Sequence, residues 1–106
     1  MEFGKIEKII LIYMGIKFTK TSQFVKRTKL TRELKSFLNR NNDKNFSTIL
    51  YNSLSRLQYK KGLIYRRKKR VCITKRGRQI AKELLDEIKL KKGGPVTSWS
   101  DIIKYL

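Results

Sequence analysis

Histidine is absent from all 106 residues, which excludes a His-based triad, an imidazole metal site and an imidazole proton shuttle. The single cysteine, Cys72, excludes an internal disulfide and a thiolate zinc cluster, and a reducing compartment is the simpler setting. Long apolar runs are also missing. The only sustained one, "IILIYMGI" at 9–16, is too short to span a bilayer and lacks the small-residue cleavage site of a signal peptide. The expectation is a soluble cytoplasmic protein, nucleoid-associated, or resident in a host cytoplasm if viral. Acidic residues are scarce, 8 against 27 basic ones, and the formal charge is +19. A chain so charged repels itself, and that cost is offset when its usual partner is a polyanion, DNA or RNA first. Three of the acids, Glu83, Asp86 and Glu87, fall on an expected helix exterior, with no nucleophile, base or phosphate-cradling loop beside them. No enzyme, no cofactor and no metal are expected. A chain of this length fills one core.

What is present reads as helices around a small hairpin. Gly4 to Ile16 is apolar on most of its circumference, so it is buried on most of it: either a second subunit covers one face, or the helix is the centre of a monomer's core. Residues 17–29 fit a short helix or an extended segment. In "LTRELKSFLN", Thr31 is the expected N-cap, and Leu30, Leu34, Phe37 and Leu38 share a face. The turn-formers "NRNNDKN" end that helix. In "FSTILYNSLSRLQYKKGLI", Ser47 or Asn45 caps a helix whose Leu50, Leu54 and Leu57 form a narrow buried stripe, with Gly62 as its stop. "LIYRRKKRVCIT" then offers two β-prone stretches flanking five consecutive cations, Arg66 to Arg70, although no Gly or Asn marks the tip of a turn. Alternation points Tyr65 inward with Leu63. Thr74 caps a further helix that "GGP" at 93–95 breaks, and Ser98 with Asp101 opens a short terminal one, anchored by Trp99.

Helix, helix, turn, helix, hairpin, helix is the order of a winged helix-turn-helix domain. The chain resembles MarR- and PadR-type regulators, and small winged-helix proteins of archaea and their viruses. The resemblance rests on "LTRELKSFL" as positioning helix, "STILYNSLSRLQYKKGLI" as recognition helix, "YRRKKRVCIT" as wing and "TKRGRQIAKELL" as the helix after it. Its motifs, a recognition helix running into Gly-Leu-Ile and a wing running into Thr-x-x-Gly, are moderately specific. The resemblance implies a mainly α fold with a small β-hairpin, a DNA-binding domain over 1–92 and a linker with a short C-terminal helix over 93–106. It also implies a homodimer through the N-terminal helix and the C-terminal helices.

Residue chemistry agrees on a separate line. Thr48, Asn52, Ser55 and Tyr59 step by four, three and four and share one helical face, with Tyr51 and Arg56 flanking it. Arginine forks onto guanine and asparagine onto adenine in a major groove, so helix 47–61 is expected to read bases. Between Lys60 and Arg78 lie ten Lys or Arg residues and no acid. Of these, Lys60, Arg66, Arg67, Lys68, Lys69, Arg70, Lys75 and Arg76 are the expected phosphate contacts, with the wing at 63–74 on the backbone or a minor groove. The expected function is a sequence-selective, double-stranded-DNA-binding transcriptional regulator. The alternatives are a non-specific architectural or genome-packaging protein and, because tyrosines interleave with the cations, an RNA-binding protein.

Overall fold

A computed structural model describes residues 3–18, 23–40 and 42–106. Its elements run α1 (Lys5–Lys17), β1 (Val25–Lys26), α2 (Arg27–Phe37), α3 (Phe46–Ser55), β2 (Ile64–Arg67), β3 (Arg70–Ile73), α4 (Lys75–Lys92) and α5 (Trp99–Tyr105). The fold is mainly helical with a small antiparallel sheet, as expected, but the sheet has three strands in the order β1-β3-β2.

The core is organised around α1. Ile9 to Met14 are all between 0% and 1% exposed, because α4 packs along one side, α3 and β3 along others, and the rings of Phe18, Phe37 and Trp99 surround Tyr13. One chain therefore covers the whole circumference, and a second subunit is not needed to explain the apolar character of α1. Glu7 is the charge that accompanies this helix inward. Its Oε1 accepts from Arg56 Nε at 3.0 Å and its Oε2 from Lys61 Nζ at 2.7 Å. Burial raises the Glu7 carboxyl, but the Lys61 and Arg56 contacts outweigh it and the net shift is downward.

The second helix begins four residues before the Thr31 cap expected from sequence. Val25 pairs with Val71 and Lys26 with Arg70, so β1 delivers the chain in extended form directly to α2. The Arg27 N–H donates to the Lys69 carbonyl at 2.8 Å, so the hairpin turn satisfies a helix-end donor that a capping side chain would otherwise have met. Thr31 lies inside the helix and donates its hydroxyl to the Arg27 carbonyl at 2.8 Å. In α3, Leu50 and Leu54 are buried as anticipated, and the helix widens over Arg56–Lys60 into a π-helical turn that keeps Leu57 inside. Gly62, at φ 64°, then reverses the chain, a conformation that costs glycine little.

The hairpin pairs Ile64 with Ile73, Tyr65 with Cys72, Arg66 with Val71 and Arg67 with Arg70, around a two-residue turn, Lys68–Lys69. Lys68 takes the positive φ, 56°, that a Gly or Asn commonly supplies at such a tip. Inward alternation starts at Ile64 and not at Leu63, so Tyr65 faces outward and not into the core.

Thr74 caps α4 by accepting from the Gly77 N–H at 3.0 Å. Ser98 accepts from the Asp101 N–H at 3.4 Å, and Trp99 stacks on Phe37 with centroids 4.8 Å apart. The terminal helix is thus anchored on the body of its own chain. The Lys92 ammonium, then the Thr97 N–H and hydroxyl, hold the Asp101 carboxyl down at about 2. A lowered folded-state value means that this anchoring is fully present above the ordinary carboxylate value and is lost as pH falls through the folded one. The near-ultraviolet signal of Trp99 is expected to loosen as pH drops from 3.8 towards about 2. Asp101→Asn should show the loosened signal already at neutral pH, and a wild-type signal there would contradict the assignment.

Candidate nucleic-acid interface

The face of α3 opposite its leucine stripe carries Thr48, Tyr51 and Asn52 in the open, Ser55 half-buried, and Tyr59 at 75% exposed on the π-helical turn. Beside it runs a groove of about 620 Å³ between α2 and α3, lined by Arg27, Thr28, Thr31, Arg32 and Lys35 from one helix and Ser47, Thr48 and Tyr51 from the other. No acid lines it. The second wall of the face is the hairpin, and Arg66 is the brace between them. Its Nε donates to Gln58 Oε1 at 2.6 Å, and its guanidinium lies 5.0 Å from the Tyr51 ring centre and 5.4 Å from that of Tyr59. Arg27 approaches the Tyr51 ring at 5.4 Å. Tyr51 therefore holds two guanidiniums, each attracted by the ring quadrupole. These contacts fix the hairpin against α3, so that helix face and hairpin present one surface.

The expected residues sort accordingly. Thr48, Tyr51, Asn52, Ser55 and Tyr59 are brought together. Arg67, Lys68, Lys69 and Arg70 are all exposed at the end of the hairpin, and Lys60 is exposed beside it on the π-helical turn. Lys75 and Arg76 are exposed in the first turn of α4. Cations there oppose the helix dipole, an arrangement that a bound anion relieves. Arg66 is built into the structure as a brace, and Arg56, although still exposed, commits its guanidinium to partners within the chain. Its guanidinium serves Glu7 at 3.0 Å and the Ser53 hydroxyl at 3.2 Å, because the buried Glu7 carboxylate is its strongest available partner.

Sequence reasoning missed Arg27, Thr28, Arg32, Lys35 and Gln58. The signal for most of them was a polar stripe, Thr28, Thr31/Arg32 and Lys35, at helical spacing opposite Leu30 and Leu34. It was hidden by placing the start of the helix too late. Among the described residues no group of His, Cys, Asp or Glu is arranged to hold a metal ion, and no helix is long and apolar enough to cross a membrane. Cys72 lies buried in β3, and burial raises its thiol above the ordinary value, the opposite of an activated nucleophile. Comparison with family models, with curated proteins and with solved structures finds no match to this chain.

Proposed function

We propose that this chain is a winged helix-turn-helix protein that binds double-stranded DNA selectively and regulates transcription. In this reading α3 enters the major groove and the β2–β3 hairpin lies on the neighbouring backbone or minor groove. The observation that carries it is the union of the acid-free groove between α2 and α3 with a basic hairpin, locked to the same helix through Arg66. Arg27, Arg32 and Lys35 on one side and Arg67 to Arg70 on the other would straddle the groove and grip phosphates. Thr48 and Asn52 between them would reach base edges, where an asparagine amide matches adenine. A regulator is favoured over an architectural protein because the middle of the face is a hydrogen-bonding surface and not a lysine carpet.

Homodimerisation belongs to this proposal on narrower ground than the sequence suggested. The apolar residues left in the open on α1 and α4 are Ile16, 47% exposed, and Leu90, 82% exposed. Two copies would place half-sites about one helical turn apart.

Selection from random duplex DNA, followed by competition at physiological salt, tests the reading. A preferred site should exceed unrelated duplex by about 10³-fold or more. Thr48→Ala with Asn52→Ala should erase most of that preference while leaving non-specific affinity nearly unchanged. Equal binding to all duplexes would point to the architectural alternative, and preference for hairpin RNA to the RNA-binding one.

A further inference from the structure

The sheet has a second face, turned away from α3, of which the duplex reading uses only Arg67 and Arg70. Its residues follow from the register. Val25, Val71, Ile64 and Ile73 point inward, so Lys26, Arg70 and Arg67 form one row across the outer face. Tyr65 pairs with Cys72 in the next row, and carrying the β1 register one residue back brings Phe24 abreast of them. The Phe24 and Tyr65 rings meet edge to face, with centroids 6.3 Å apart, and Cys72 is buried between their strands. An aromatic row thus lies beside a basic row. Lys68 and Lys69 extend the charge, and a concavity of about 800 Å³ opens beside Phe24, Lys26 and Arg67 to Arg70.

We propose that this outer face binds an unpaired DNA strand, with bases stacked on Tyr65 and Phe24 and the backbone held by Lys26, Arg67 and Arg70. Charge identifies the partner as a polyanion, since among the described residues no acid lines the concavity. The rings identify it as unpaired, because a duplex keeps its base faces covered and offers only phosphates to such a surface. Tyr65 is 50% exposed at the edge of a cationic row, where an unpaired base could stack on its open ring face. A lipid surface fits less well: two rings on a rigid sheet are no amphipathic helix. The site shares Arg67 and Arg70 with the duplex proposal and differs from it in the Tyr65 and Phe24 rings, which the duplex proposal leaves unused, so a change confined to those rings lets either fail alone.

The test is fluorescence anisotropy of the whole chain with labelled oligothymidylate and with blunt duplex DNA, near physiological salt. Tyr65→Leu keeps Cys72 covered but removes the stacking ring. It should weaken single-strand binding about tenfold and leave duplex binding nearly unchanged. Tyr65→Phe should bind the single strand nearly as well as the wild type. Iodouracil-substituted oligothymidylate, irradiated with the wild-type protein, should crosslink to Tyr65 or Phe24, which decides the matter even where a variant folds poorly. Unchanged single-strand affinity in a folded Tyr65→Leu, crosslinks confined to α3, or binding of single-stranded RNA with none of DNA would each overturn the proposal.

Discussion

Gly77→Ala is expected to destabilise the protein by about 3 kcal/mol, lowering its melting temperature by roughly 10–20 °C. Helix propensity argues the other way, since alanine in a helix is worth about 1 kcal/mol over glycine. Geometry decides the sign. A Cβ built on Gly77 would lie 2.0 Å from the Leu63 carbonyl oxygen and 2.8 Å from Ile73 Cγ1. That carbonyl is held in place, because it accepts from the Thr74 N–H at 3.0 Å and shares the Thr74 hydroxyl proton with the Gly62 carbonyl, each oxygen 3.0 Å from the hydroxyl. The same hydroxyl accepts from the Gly77 N–H. Leu63, Thr74 and Gly77 therefore form a knot where the chain leaves α3, where the hairpin closes and where α4 begins. The Thr-x-x-Gly pattern has its physical cause here, with threonine to tie the knot and glycine to fit beneath it. Thermal melts followed by circular dichroism would measure the loss, and a variant as stable as the wild type would contradict the packing.

Neutralising the end of the hairpin should have the largest effect on binding. Each phosphate contact makes the duplex binding constant vary as about the −0.9 power of salt, so near 0.15 M one contact is worth roughly fivefold and four about a thousandfold. The combined variant Arg67→Ala, Lys68→Ala, Lys69→Ala and Arg70→Ala should approach that loss and reduce the log–log salt slope by about 3 to 4. All four side chains are exposed, so the fold should be retained. Lys89→Ala with Lys91→Ala, exposed near the end of α4, serves as the control and should leave the slope almost unchanged. Equal logarithmic losses per charge removed in the two variants would mean that duplex DNA feels only total charge, and would remove the hairpin from the proposed interface.

Arg66 is left out of that variant deliberately, and the reason shows how sequence and structure divide the information. In the sequence it is one of five adjacent cations with nothing to separate it from Arg67. Strand alternation separates them, sending Arg66 towards Gln58, Tyr51 and Tyr59 and Arg67 into solvent. Tyr65 turned on the same point. Taking the alternation from Leu63 put it in the core, whereas the reversal at Gly62 starts the strand at Ile64, and a one-residue shift exchanges the faces of a strand.

Local chemistry was enough to place the leucine stripe of α3, the Thr74 cap, the Gly62 stop, the break after α4 and the Ser98 cap. Each depends on residues within a turn or two of one another, where spacing and hydrogen-bonding groups are visible in the chain itself. The overwhelming positive charge, and the clustering of ten cations between Lys60 and Arg78, were likewise written in the sequence. Tertiary structure alone decided the third strand, the early start of α2 on the Lys69 carbonyl, the diversion of Arg56 to Glu7 and the pairing of Phe24 with Tyr65. Those features join residues far apart in the chain. A side chain's partner there depends on which groups folding brings within reach, and a buried carboxylate such as Glu7 takes the cations that folding places beside it.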